Sequence, residues 1–240
     1  MKTFFYIILI LHALIHLMGF VKGQGWAVQG LQLPISKTAA LFWLLTFLLF
    51  IGWGISTALR HDMAWILGVL AIILSQLLIF SVWSEAKWGT LLNLFLLLFC
   101  WIQFSDFRFQ KQWSMDTKLL QTEKHSEELK PLDSLPELVQ RWYQRAMKNR
   151  KTPIQGGMIQ QTLQLKLKPE QVDFNAANAQ QCSRISPPAF SWKIDVPYIL
   201  GMHLYGRDDY SHGKGSMFIT LHHLFTIVDA SGTKLDEGTA

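Results

Sequence analysis

Hydrophobic and polar positions divide the chain into two halves of different period. Residues 3 to 21 hold no Asp, Glu, Lys or Arg, and three more charge-free runs follow at Thr38–Leu59, Met63–Ser84 and Trp88–Ser105. Nineteen residues of α-helix reach about 28 Å, close to the thickness of a bilayer core. The pattern therefore predicts four transmembrane helices, over about 3–22, 38–59, 63–84 and 88–105, in a membrane domain covering residues 1–105. A secretory signal is the alternative for the first run, since Gly23-Gln24-Gly25 resembles a weak cleavage site. Its apolar run is longer than an ordinary signal core, so a retained helix is the expectation. Arg60-His61-Asp62 joins helices two and three, and Glu85-Ala86-Lys87 joins three and four. Connections this short force antiparallel neighbours.

After residue 105 the pattern changes. Residues 106–132 mix charges without clear periodicity and read as a linker. In "DSLPELVQRWYQRAMKNR", Leu135, Leu138, Val139, Trp142, Tyr143 and Ala146 recur at helical spacing, behind a capping box of Ser134 and Glu137. Arg141, Arg145, Lys148, Arg150 and Lys151 make that helix basic. One reading packs its apolar stripe on a sheet and leaves the charges in solvent; another draws it to anionic lipid heads. The packed arrangement is the expectation. From Gly156-Gly157 onward the period is two: Ile159, Leu163, Leu165 and Leu167; then Trp192, Ile194, Val196 and Tyr198; then Met217, Ile219, Leu221, Phe225 and Ile227. Such alternation predicts antiparallel strands with one covered face. Residues 133–240 are thus expected to form a soluble α+β domain, an antiparallel curved sheet or half-barrel with one helix.

Composition adds orientation. Half of the residues are hydrophobic, yet the mean hydropathy is only +0.20, because the polar half dilutes the apolar one. Near the helix ends, Lys2, Arg60, Arg108, Lys111, Lys118 and Lys124 lie on one side, against Lys22, Lys37 and Lys87 on the other. That asymmetry predicts both termini in the cytoplasm of a multi-pass inner (plasma) membrane protein, with the C-terminal domain cytoplasmic. Cys100 and Cys182 fall in different halves, so no disulfide framework exists.

Four stretches, "LHALIHLMGF", "LPELVQRWYQRA", "SPPAFSWKIDV" and "YGRDDYSHGKGSM", occur in this order. Together they resemble a family of uncharacterised bacterial membrane proteins, known only as a domain of unknown function. The resemblance implies several N-terminal membrane helices followed by a β-rich domain. It brings no reaction and no site residues. Members of that family continue with further strands beyond the equivalent of "LDEGTA", so the sheet is expected to be incomplete at its C-terminal end.

The candidate chemistry is sparse. "GRDDYSHGKGS" superficially suggests a phosphate loop, but Gly206 and Gly213 are too far apart, and the residues after it alternate like a strand. A hairpin with glycines at positive φ is expected instead. Arg207, Asp208, Asp209 and Tyr210, with Trp192, are the candidate ligand-binding residues, because carboxylates beside an arginine and a tyrosine suit a polar head group; as a turn they would be ordinary. His222 and His223 are consecutive on a predicted strand, and His203 and His222 are expected about four residues out of register or on opposite faces. These placements give no metal site. His12 and His16 stand one helical turn apart in mid-membrane, where an ionisable group is a functional candidate. Ser75, Gln76, Asn93 and Gln103 on the other spans suit hydrogen bonds to them.

The leading function expected is therefore a membrane-tethered module that binds a lipid or other apolar ligand on the sheet face of Trp192, Ile194, Val196 and Tyr198. The alternatives are a membrane redox, metal or haem protein using His12 and His16, and a structural or regulatory interaction protein. No catalytic residue, cofactor or nucleic-acid partner is expected, and the bilayer is the expected partner.

Overall fold

The computed structural model describes residues 2–122, 131–148 and 154–239. Two compact units divide the chain, Met1–Phe109 and Gln110–Ala240.

The first unit is helical. α1 (Lys2–Gly23), α2 (Lys37–Ala58), α3 (Ala64–Ser81) and the start of α5 (Gly89–Thr122) are each long and apolar enough to cross a membrane; α4 (Trp83–Ala86) is a single turn between α3 and α5. The packing inverts that of a soluble bundle. Leucines, isoleucines and phenylalanines such as Phe4, Leu11, Leu45, Leu70 and Leu94 face outward, while His12, His16, Thr46, Ser75 and Asn93 are buried. In water this arrangement would be costly; in lipid the exposed surface meets its own kind and the polar groups pair inside. Between α1 and α2, the Trp43 ring of α2 lies directly on Gly19 of α1. A Cβ on Gly19 would stand 2.2 Å from Trp43 Cδ2, so only glycine fits there.

The second unit holds the C-terminal part of α5, the short helix α6 (Glu137–Met147) and a six-stranded antiparallel sheet: β1 (Gly156–Leu165), β2 (Asn175–Arg184), β3 (Ala189–Pro197), β4 (His203–Ser211), β5 (Lys214–Leu221) and β6 (Phe225–Ser231). Its order is sequential, β1 to β6, with β1 and β6 as edges. α7 (Thr233–Thr239) packs on β5 and β6. The expected class, four membrane-type helices followed by an antiparallel sheet with a helix, is the class observed.

The register sorts the side chains into two faces. Cys182, Ser191, Asp209 and Ser216 stand side by side across four strands on one face; Gln181, Trp192, Asp208 and Met217 do so on the other. α5 lies over the first face within this unit. Its Leu120 clusters with Cys182 and Ala189, Gln121 Nε2 donates to Cys182 Sγ, and Lys193 Nζ donates to Gln110 Oε1 at 2.7 Å while sitting 3.9 Å from the Trp113 ring centre.

Several expectations change here. Residues 106–122, expected as linker, continue α5, because Phe109, Thr117 and Leu120 bury at helical spacing. Residues 123–130 lie outside the described residues. α6 starts at Glu137 with no side-chain cap, so the capping box does not form: the Ser134 hydroxyl donates to the Pro131 carbonyl instead. α6 also buries nothing: Leu138 is 72% and Trp142 68% exposed, so its stripe does not pack on the sheet. Arg150 and Lys151 lie outside the described residues. The third alternating run is two strands, β5 and β6, folded at His222–Leu224.

Candidate functional site

Two groups of candidate residues can be built from the chain upward, one in each unit.

In the helical unit, α1 carries His12 and His16 on one face, at 0% and 1% exposure. Their rings meet edge to face with centroids 5.0 Å apart. α3 and α5 supply the partners. His12 Nε2 lies 2.8 Å from Asn93 Oδ1 and 3.2 Å from Ser75 Oγ, and His16 Nε2 lies 2.8 Å from Ser75 Oγ. Ser75 Oγ donates to Asn93 Oδ1 at 3.0 Å, Asn93 Nδ2 to Gln76 Oε1 at 3.0 Å, and Gln76 Nε2 to Thr90 Oγ1 at 3.1 Å. One hydrogen-bonded chain thus ties three helices. Gln103, also a candidate partner, does not join it: its Oε1 accepts from Trp53 Nε1 and its Nε2 donates to Thr57.

A cavity of about 240 Å³ opens beside these histidines, lined among others by His12, His16, Trp43, Glu85, Trp88 and Gly89. Gln29, Gly30 and Leu31 of the α1–α2 loop line it too. That loop is fastened by Glu85, whose carboxylate accepts from the backbone N–H of Gln32 at 2.9 Å and of Leu33 at 3.0 Å. Three polar atoms of the wall residues, His12 Nδ1, His16 Nδ1 and Trp43 Nε1, are buried and hydrogen-bond to nothing. Among the described residues, no group of three or more His, Cys, Asp or Glu side chains is placed to hold a metal ion.

In the sheet unit, Arg207, Asp208, Asp209 and Tyr210 lie on strand β4, not in a loop; the turn is His212-Gly213, with φ of 53° and 73°. Gly215 is a strand residue whose N–H donates to Asp236 Oδ1. Strand alternation splits the candidates. Arg207 and Asp209 share the α5-covered face, where Arg207 Nε donates to Asp209 Oδ2 at 2.8 Å and the buried Ser191 hydroxyl donates to Asp209 Oδ1 at 2.6 Å. Asp116 of α5 adds a carboxylate within the field of both. Asp208, Tyr210 and Trp192 share the opposite face, with Trp192 directly across from Asp208. Trp192 Nε1 donates to Gln161 Oε1, and Tyr210 stacks on Phe190. Burial, and secondarily the Asp209 charge, push the Asp208 carboxyl above the usual carboxylate range. Burial likewise pushes the Cys182 thiol up, which makes it a poor nucleophile. The five residues are therefore one ion pair locked under a helix and one half-buried trio, rather than a single pocket.

The soluble histidines are placed differently from the expectation. The hairpin centres between residues 212 and 213, so His203 and His222 are directly opposed: His222 N–H donates to the His203 carbonyl at 2.7 Å, and their rings lie 6.4 Å apart. His222 and His223 form the β5–β6 turn, both at positive φ, instead of extending a strand. His203 pairs with Asp195 and stacks on Tyr205, which stacks on His223 in turn. Sequence reasoning missed this aromatic cluster. The sum of residue numbers across the hairpin, the same for 203 with 222 as for 212 with 213, would have revealed it.

Residues 133–240 match a family of unknown function (DUF6920). No curated protein and no solved structure matches the chain. The match covers α6, the sheet and α7; the helical unit with its cavity lies outside it.

Proposed function

We propose that this is a multi-pass membrane protein that takes an amphipathic small molecule from the bilayer into the cavity of its helical unit. The cavity supports this reading. It is large enough for the head of a lipid-like molecule, its wall is mostly apolar, and a few polar groups converge on it. The ligand reading thereby moves from the sheet face, where Val196 is buried and Trp192 and Ile194 are half-buried, to the bundle. Gly89 gives the test. A Cβ there would come within 2.8 Å of Ile79 Cδ1 and 3.6 Å of His12 Cε1, so Gly89→Leu sends a side chain into this space. The full chain, extracted with its surrounding lipid, should yield an enriched small molecule that Gly89→Leu loses while keeping its helical circular dichroism. A wild-type protein that carries nothing beyond bulk lipid would refute the reading.

A second reading rests on α6. Its exposed Leu138, Val139 and Trp142 and its Arg141, Arg145 and Lys148 suit the surface of an anionic bilayer, with apolar side chains seated at the headgroup boundary. The chain is already anchored nearby in sequence by α5. Hydrogen exchange of residues 137–147 in bilayers with and without anionic lipid tests it.

A further inference from the structure

The two edges of the sheet are finished differently. β6 is short, is bulged against β5 between Ile219 and Thr220, carries Asp229 and has α7 packed on it. Bulges, charges and covering helices keep a sheet edge from pairing with another chain. β1 has neither bulge nor charge. Its sequence, GGMIQQTLQL, also lacks proline, and all ten residues pair with β2 in one unbroken register. Among the described residues, no strand pairs with its other side. Met158 and Ile159 are 47% and 49% exposed, and Gln160, Thr162 and Gln164 are exposed as well. A long, flat, uncharged edge of this kind is a template for a further strand.

One bond fixes which backbone groups face the open side. The Ile185 N–H donates to the Gln155 carbonyl at 2.9 Å, and these two residues continue the β1–β2 register. Gln155 therefore turns its backbone toward β2. By the alternation of an antiparallel ladder, so do the other odd-numbered residues of β1. Met158, Gln160, Thr162 and Gln164 turn their N–H and C=O groups outward. A second β1 running antiparallel meets them where outward residues oppose outward residues. In the register centred on Gln161, Gln160 opposes Thr162 of the other copy and Met158 opposes Gln164. On the other face Ile159 opposes Leu163, and Gln161 meets itself. Apolar side chains are matched, and no like charges are opposed because the strand carries none. Shifting this register by two residues sets Ile159 against Gln161 in one direction and Leu163 against Gln161 in the other. We propose that β1 is the docking edge for a second copy of this chain, joined antiparallel about Gln161 into one continuous sheet. The joint is isologous: the same edge serves both copies and closes the assembly at two.

Light scattering of the full chain in mild detergent, over a range of concentrations, gives the protein mass in each complex. The wild type should reach the mass of a dimer. Thr162→Pro removes an N–H that faces outward, a change that an edge strand tolerates. It should leave the sheet unit resistant to proteolysis and make the chain monomeric. Gln161→Cys should crosslink two copies under mild oxidation, since opposed Cα atoms of such a pair stand about 4.5 Å apart, within disulfide reach. Ile159→Cys should not, because its two copies are offset by about four residues, roughly 13 Å along the strands. Cys100 and Cys182 are buried, so the wild type serves as the uncrosslinked control. A wild type that is monomeric at every concentration would overturn the proposal. So would a dimer that survives Thr162→Pro, a crosslink at 159 rather than 161, or a foreign chain bound in place of the second copy. The wild-type mass and the cysteine pair decide the matter even if Thr162→Pro fails to fold.

Discussion

Asp208 and Asp209 are neighbours in the chain and point to opposite faces of the sheet, and their environments differ accordingly. Asp209 is held by Arg207 and Ser191, whereas Asp208 sits beside Trp192 with its carboxyl pushed up by burial. Linkage sets the sign of the consequence. Below the ordinary value of 3.8 the Asp208 carboxyl is protonated in both states, and the fold keeps whatever its neutral form contributes. As pH rises past 3.8 the unfolded chain ionises first, so that contribution drains away until pH passes the folded value. Asp208→Asn should therefore remove a loss of stability that begins near pH 4. The difference between wild-type and variant urea midpoints for the sheet unit, read by pulse proteolysis across pH, should grow from zero at low pH in the variant's favour. A difference independent of pH would contradict the assignment. Both residues were legible in sequence as candidates. Their separation was not, because it depends on whether the segment is a loop or a strand.

At the scale of elements, the membrane-type helices were the most legible, since a charge-free run of bilayer length has few other uses. The strands were half legible. β1, β3 and β5 alternate clearly, but β2 reads "NAANAQQCSR", with little β-branched or aromatic content, and was missed. It is a strand because it is paired on both sides, by β1 and β3, where small side chains such as Ala177 and Ala179 bury easily. Tertiary pairing there overrides local preference. The β4–β5 turn shows the reverse, a local rule deciding the register. A two-residue turn with both residues at positive φ suits the twist of the flanking strands, and Gly213 supplies the second position. A Cβ on Gly213 would touch nothing within 4 Å, so a substitution there costs backbone strain alone. Gly213→Val should destabilise the sheet unit by roughly 1–3 kcal/mol. Denaturant midpoints that shift by much less would mean that the turn relaxes to another geometry. The register shared by Arg207, Asp209, His203 and His222 would then move with it.

For the molecule as a whole, charge and apolar surface are sorted in two ways. In the helical unit the apolar side chains face out and the polar ones pair within, as a bilayer requires. In α6 an apolar stripe and a basic face are both left open. The sequence alone suggested that the stripe would find a core, and the sheet instead takes its cover on one face from α5. The Lys and Arg asymmetry around the spans, six positions against three, would put α6 on the cytoplasmic side, where the leaflet is anionic. Each basic residue near such a surface contributes about 1 kcal/mol, and insertion of Trp142 and Leu138 adds an apolar term. The tether through α5 makes the encounter intramolecular, so even a weak surface helix would be largely bound. In nanodiscs containing phosphatidylglycerol, residues 137–147 should exchange amide hydrogens more slowly than in phosphatidylcholine alone. Arg141→Glu with Arg145→Glu should abolish that protection, and raised salt should weaken it. Equal exchange in both lipids would exclude the anionic surface. Protection insensitive to both charge reversal and salt would point to a protein partner for the stripe instead.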